Sequence, residues 1–220
     1  MTQHRERTYW LTAWILCLNG IAGFVNVVSL VYFEMPTTHY TGHMTQFALH
    51  LARGNVTLIG SVLFVVVSFL GGSMLSGYLF SDKVFQLKKR YGVVLLGLGM
   101  MHWLLVSLFN GSSWLIGANA FMAGVQNGLF IFYRGMIVRS THFTGYLTDI
   151  GFELGRMLRG LKDSQHKVAF YSTSIACFIL GGILAAWLYA RIGSQTLYVI
   201  SASYMLAGSY YLLFRQRFYT

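Results

Sequence analysis

Charge is what this chain has least of. Only 10% of its 220 residues are charged, and acids number six; a soluble domain carries about 25%. That shortage excludes an ordinary water-soluble domain and leaves a membrane protein. Proline occurs once, at Pro36, and cysteine twice, at Cys17 and Cys177. Both cysteines fall inside apolar runs and pack as small hydrophobes, giving neither a disulfide framework nor a metal cluster. No Gly-x-Ser-x-Gly or His-Glu-x-x-His string occurs, so no enzyme, cofactor or metal is expected. The net charge of +10 is no nucleic-acid signature, because the basic residues lie between apolar runs and form no single patch.

What is there is apolar: 55% of residues are hydrophobic and the mean hydropathy is +0.57. Arg5 and Arg7 precede a hydrophobic run longer than the roughly 7–15 residues of a signal core, with no A-x-A-like site after it. It reads as a retained first helix. Six stretches are long enough to span: about 10–33, 56–80, 92–109, 114–133, 168–190 and 195–214. A bilayer core needs roughly 20 helical residues, and lipid leaves no backbone group unpaired, so these are expected to be helices. With six spans, fourteen of the sixteen basic residues fall on the side of the termini, from Arg5 and Arg7 through the 83–90 cluster, Arg134, Arg139, Arg156, Arg159, Lys162 and Lys167 to Arg215 and Arg217. Only Arg53 and Arg191 fall on the other. Both termini are therefore expected in the cytoplasm.

Between the spans lie two short stretches that say nearly the same thing. Thr38-His39-Tyr40-Thr41-Gly42-His43-Met44-Thr45 runs on to Arg53, and Thr141-His142-Phe143-Thr144-Gly145-Tyr146-Leu147-Thr148 runs on to Arg156. At an offset of 103, seven of these sixteen positions are identical. Such a repeat governs the whole fold. Copy one is residues 1–109 and copy two residues 112–220, within a single membrane domain. Three spans per copy is an odd number, so the second copy is expected to enter the membrane upside down. Weaker pairings agree: Ala22-Gly23 with Ala123-Gly124, Asn26 with Asn127 (offset 101), and Gly71-Gly72 with Gly181-Gly182 (offset 110). The fold expected is all-α and polytopic: six transmembrane helices as two inverted three-helix repeats, each with a short re-entrant or interfacial helix.

From 39 to 53 is 15 residues, roughly 22 Å of helix, too short for about 30 Å of hydrocarbon. A helix flat on the surface or a re-entrant half-helix both fit. The Thr-Gly pair suits a helix start. Gln46, His50 and Arg53 share a face, as do Asp149, Glu153 and Arg156. Paired short, glycine-containing segments in matching places of inverted repeats point to a transporter site, with helix N-termini facing an anionic group. The expected substrate-binding residues are Asn26, Thr41, Gly42, Thr45, Asn127, Thr144, Gly145, Thr148 and Asp149. Asn19 and Asn119 read as interhelical glue. His39 and His142, on opposite faces by this topology, make no metal site without further ligands. Arg134 and Arg139 read as loop residues of the positive side. The small pairs Gly72/Ser76, Ser73/Gly77, Gly181/Ala185 and Gly182/Ala186 serve a monomer or a homodimer equally.

Ala22-Gly23-x-x-Asn26, Thr41-Gly42, Gly124-x-Gln126-Asn127 and Arg139-Ser140-Thr141-His142-x-Thr144-Gly145-x-x-Thr148-Asp149 together resemble the YoaK-type bacterial membrane proteins, a domain of unknown function. The resemblance covers most of the chain and implies a six-span protein of the bacterial inner membrane, with no established substrate. The chain departs from that pattern at Asn26, where an acid is common, and at His43, where asparagine is. The function expected is a small secondary transporter or channel for a small anionic or zwitterionic solute. The alternative is a membrane-embedded binding or accessory subunit that works with partner proteins.

Overall fold

Where water is absent, a backbone N–H or C=O must find its partner within the protein. The apolar stretches meet this demand as helices. The computed structural model describes residues 2–81, 86–129, 132–133, 136–161 and 165–217. Among these run α1 (Thr2–Phe33), α2 (Tyr40–Ala52), α3 (Val56–Leu79), α4 (Arg90–Phe109), α5 (Trp114–Gly128), α6 (Phe143–Leu158), α7 (Gln165–Ile192) and α8 (Thr196–Arg217). A one-turn 3-10 helix, Gly193–Gln195, divides α7 from α8, and a ribbon of β1 (Phe132–Tyr133) and β2 (Met136–Ile137) follows α5.

Four helical segments are long and apolar enough to cross a membrane: Thr8–Phe33, Val56–Leu79, Arg90–Phe109 and Gln165–Arg215. The last comprises two helices, α7 of 28 residues and α8 of 22. Among the described residues of the stretch expected to span at 114–133, the helix covers the 15 residues Trp114–Gly128, roughly 22 Å. Beyond it Phe132 pairs with Ile137 and Tyr133 with Met136. A short apolar run serves a strand as well as a helix, and here the ribbon takes it.

Large apolar side chains stand on the outside of α3 (Val67, Leu70, Met74), α4 (Met100, Leu104, Leu108) and α7 (Leu180, Ile183). An apolar exterior this extensive suits contact with lipid. Inside, Trp14 and Leu18 of α1 meet Tyr91 and Leu95 of α4 and Tyr204 and Tyr211 of α8 in one buried cluster.

The main helix pairings are α1 with α7, α3 with α5, and α4 with α8. If α1–α4 and α5–α8 are taken as two copies, the first two pairings are counterparts: the first helix of each copy lies along the third helix of the other. The glycines show how close the match is. A Cβ on Gly23 would collide with the carbonyl oxygen of Phe178, and one on Gly124 with that of Phe69. A Cβ on Gly72 would meet the Phe121 carbonyl, and one on Gly181 that of Gly20. Gly72 and Gly181, an offset of 109, are thus the structural counterparts, which corrects the offset of 110. Gly71 meets only the edge of the Phe121 ring, and Gly182 faces the Val27 side chain. These small residues serve packing within the chain.

At one end of the molecule the Tyr211 hydroxyl donates to the Lys88 carbonyl at 3.1 Å, and Arg215 Nε to that of Leu87 at 3.1 Å. Arg90 donates to the Leu79 carbonyl at 3.3 Å, so basic residues of both halves gather there. Lys83, Arg134 and Lys162, used to orient the chain, lie outside the described residues, as do the side chains of Arg5, Arg7 and Arg217.

Gly23→Ala and Gly124→Ala push one backbone against another and are expected to cost about 1–3 kcal/mol each, the usual range for overpacking. Gly60→Ala and Gly97→Ala, whose new Cβ meets nothing, are expected to leave stability unchanged or raised. Unfolding midpoints in mild detergent separate the two pairs.

Candidate functional site

After α1 the chain turns back on itself. The Thr38 N–H donates to Asn26 Oδ1 at 3.0 Å. Asn26 stands seven residues before Phe33, where α1 ends, so Thr38 lies about 10 Å back along the helix at 1.5 Å per residue. In the second copy the Thr141 N–H donates to Asn127 Oδ1 at 3.2 Å. There α5 stops one residue later, and the ribbon replaces the last turns that α1 makes. From these returns α2 and α6 start beside the middle of a long helix. The Tyr40 ring lies 3.9 Å from Phe69 of α3, and Phe143 lies 4.2 Å from Phe178 of α7.

Each element of the repeated string has a mechanical reason. The His39 ring folds over Gly42 and the His142 ring over Gly145, in the space a Cβ would fill. That explains histidine and glycine three residues apart in both copies. Thr45 donates to the Thr41 carbonyl at 3.1 Å, and Thr148 to that of Thr144 at 2.9 Å, so each hydroxyl is satisfied on its own helix. The preceding loop is pinned at matching places by different groups. His43 Nε2 donates to the Pro36 carbonyl at 2.6 Å, whereas the Arg139 N–H donates to the Tyr146 hydroxyl at 2.9 Å. Proline has no N–H to give, so the first copy uses its carbonyl.

Both short helices end alike. Gly54 and Gly160 take positive φ of 66° and 86°, a conformation glycine adopts at little cost. Asn55 N–H then bonds the His50 carbonyl, and Leu161 N–H that of Arg156, closing each helix in a Schellman motif. Because α6 is three residues longer than α2, with 16 against 13, Arg159-Gly160 is the true counterpart of Arg53-Gly54. Arg156 instead bonds Glu153 at 2.9 Å, and Lys167 of α7 reaches the same carboxylate at 3.4 Å. Glu153 is buried, so this face of α6 is an ion-paired dock against α7.

The starts of α2 and α6 open on one cavity of about 560 Å³, within the usual range of small-molecule sites, about 300–1,000 Å³. Its walls take Thr38, His39, Tyr40 and Thr41 from the first copy, with Phe69 of α3. From the second come Asn127, Arg139, Thr141, His142, Phe143, Thr144, Gly145, Thr148 and Asp149. His39 and His142, the N-cap residues of α2 and α6, make no side-chain cap bond. The first-turn N–H groups are thereby left to other partners, and a helix start of this kind favours negative charge. A larger cavity of about 670 Å³ lies near the end of α1, lined by Tyr32, Phe33, Phe64 and Trp114 with Glu34 as its one charged lining residue. It takes no residue of the repeated strings.

Of the nine expected binding residues, Thr41, Asn127, Thr144, Gly145, Thr148 and Asp149 line the motif cavity. Asn26, Gly42 and Thr45 stand behind it: Asn26 holds Thr38, Gly42 seats the His39 ring, and Thr45 bonds within α2. Arg139, read from sequence as a loop charge, lines the cavity, and so do both histidines assigned to opposite faces. Among the described residues no group of three metal-ligating side chains forms. Asn119 bonds Ser29 at 2.9 Å, tying α5 to α1, while Asn19 is buried without a hydrogen-bond partner.

Gln126 supports the second return from within the protein. Its amide donates to the Leu18 carbonyl and to Ser140 Oγ, both at 2.8 Å, and its carbonyl accepts from Tyr204 at 2.6 Å. It fixes the segment carrying Arg139 and Thr141. The first copy has Val25 in that place, and the hydroxyl of buried Thr37, facing no amide, has no partner.

A family model described as "Protein of unknown function (DUF1275)" matches residues 13–209. No curated protein and no solved structure matches.

Asn26→Ala strands the Thr38 N–H and is expected to cost about 1–3 kcal/mol, the penalty for a buried orphan donor. Asn26→Asp keeps an acceptor oxygen and is expected to lose less. Unfolding midpoints of the two variants provide the comparison.

Proposed function

The chain belongs to the DUF1275 family, in keeping with its YoaK-type resemblance, and from that premise we propose that it is a small secondary transporter or channel. In this reading it crosses a bacterial inner membrane six times as two inverted three-helix repeats, with both termini in the cytoplasm. The short α5 spans because the Arg139–Thr141 return and the ribbon complete its passage. The solute is small, anionic or zwitterionic, and is moved without being chemically changed.

One observation carries this: the duplicated strings of both copies line one cavity. Two helices lying on a surface would have no cause to begin beside the middles of α3 and α7. Irregular backbone at membrane depth is tolerated where it lines a wet cavity or is buried in protein. The returns at Thr38 and Thr141 fit that rule, since each N–H is met by an asparagine. Short helices presenting their starts to a shared site from opposite sides are a recurrent transporter device.

In a background lacking Cys17 and Cys177, single cysteines at Arg53 and Arg159 are expected to label from opposite sides with impermeant thiol reagents. Labelling from one side overturns the inverted arrangement. A screen of radiolabelled small acids and zwitterions in proteoliposomes is expected to find saturable uptake that Thr144→Val abolishes while expression and unfolding midpoint hold. Uptake no higher than in empty liposomes for every solute rejects transport.

A further inference from the structure

Resting on the reading of the cavity as the solute site, we propose that the solute carries both charges: an anionic group that Arg139 receives and a cationic group that Asp149 receives. The two side chains line the same cavity. Each is partly buried. Yet neither forms an ion pair with the other or with any described residue, whereas Glu153, on the same helix as Asp149, is paired twice. Unpaired ions are costly in membrane interiors, and such residues mark solute pathways there. Two opposite ones that line one cavity without pairing are complementary to a molecule of both signs.

Comparison of the copies sharpens this. At the offset of 103, Arg139 and Asp149 correspond to Pro36 and Gln46. The shared architecture therefore stands without either charge, and only the second copy carries them. The positive-inside rule accounts for an arginine but not for an acid, which contributes little to orientation. An anion alone would be drawn by Arg139 and the two helix starts but repelled by Asp149, and a cation alone would meet the reverse field. A zwitterion is opposed by neither.

The neutral lining agrees. Tyr40 lines the cavity, but its hydroxyl is fully buried, without a hydrogen-bond partner among the described residues, and makes no contact for the solute. Phe69, Phe143 and Tyr40 give the lining aromatic groups, whose ring faces suit an alkyl body or an ammonium group. His39 and His142 are the remaining titratable groups on the lining. The Tyr146 hydroxyl accepts from the Arg139 N–H, and the Tyr146 ring stacks on Tyr171 at 4.8 Å, so Tyr146 is a positioning residue for the arginine.

The test is equilibrium binding to the full chain in lipid nanodiscs. The probes are the twenty protein amino acids and 4-aminobutyrate, set against butyrate, phosphate and propylamine. At least one zwitterion is expected to bind at least tenfold more tightly than butyrate, phosphate or propylamine. R139Q and D149N are each expected to weaken it at least tenfold, about 1.4 kcal/mol, while keeping the unliganded unfolding midpoint. If R139Q does not fold, R139K serves: it keeps the charge, loses the bidentate fork, and is expected to show an intermediate loss. An acid without an amine that binds as well as any zwitterion overturns the proposal, as does D149N with unchanged affinity, or no probe binding at all. In each of those cases the transport reading is still decided separately, by cysteine labelling and proteoliposome uptake.

Discussion

A peptide N–H that leaves a helix in apolar surroundings must find an acceptor, and two asparagine side chains supply it. Asn26 takes the N–H of Thr38 and Asn127 that of Thr141. Without them each return beside its own helix would leave a stranded donor. The rest follows: the short helices begin against Phe69 and Phe178, their starts face a common space, and room remains between them. The glycines matter for a related reason. They let backbones close to a distance at which any side chain would collide, and so hold α1 to α7 and α3 to α5 around that space.

The two copies agree in mechanics and differ in chemistry. They share the asparagine catch, the histidine over glycine, the threonine bonded one turn back and the glycine-closed end. They part at Pro36 against Arg139, Gln46 against Asp149, Val25 against Gln126 and Tyr40 against Phe143. Charge and the amide network went to the second copy, and the unpartnered tyrosine hydroxyl stayed with the first. The matching strings thus form a frame that is nearly symmetric around a cavity that is not.

Much of this was legible because the repeated string is specific and sits at a constant offset. The places where reading failed have physical causes. Leu129, Phe132 and Tyr133 are as apolar as a span, and apolar character alone does not separate helix from strand over so short a run. Arg139 carried two meanings at once, orientation and lining, and only its fold-back beside Asn127 decides between them. Phe69 and Phe178 are two of seventeen phenylalanines, without a signal of their own until Tyr40 and Phe143 are seen lying on them. The glycine correspondence was off by one because adjacent glycines are interchangeable in a string but not against a carbonyl.

The exchange of partners between copies bears on how the protein is made. Gly23 of α1 meets its partner at Phe178 of α7, 155 positions later in the chain. A ribosome delivering the chain from its amino end therefore releases α1 long before anything exists to pack against its glycine face. Contacts this remote slow assembly, and neither half closes its glycine contacts without the other. Translation must reach α7 before the glycine face of α1 can close.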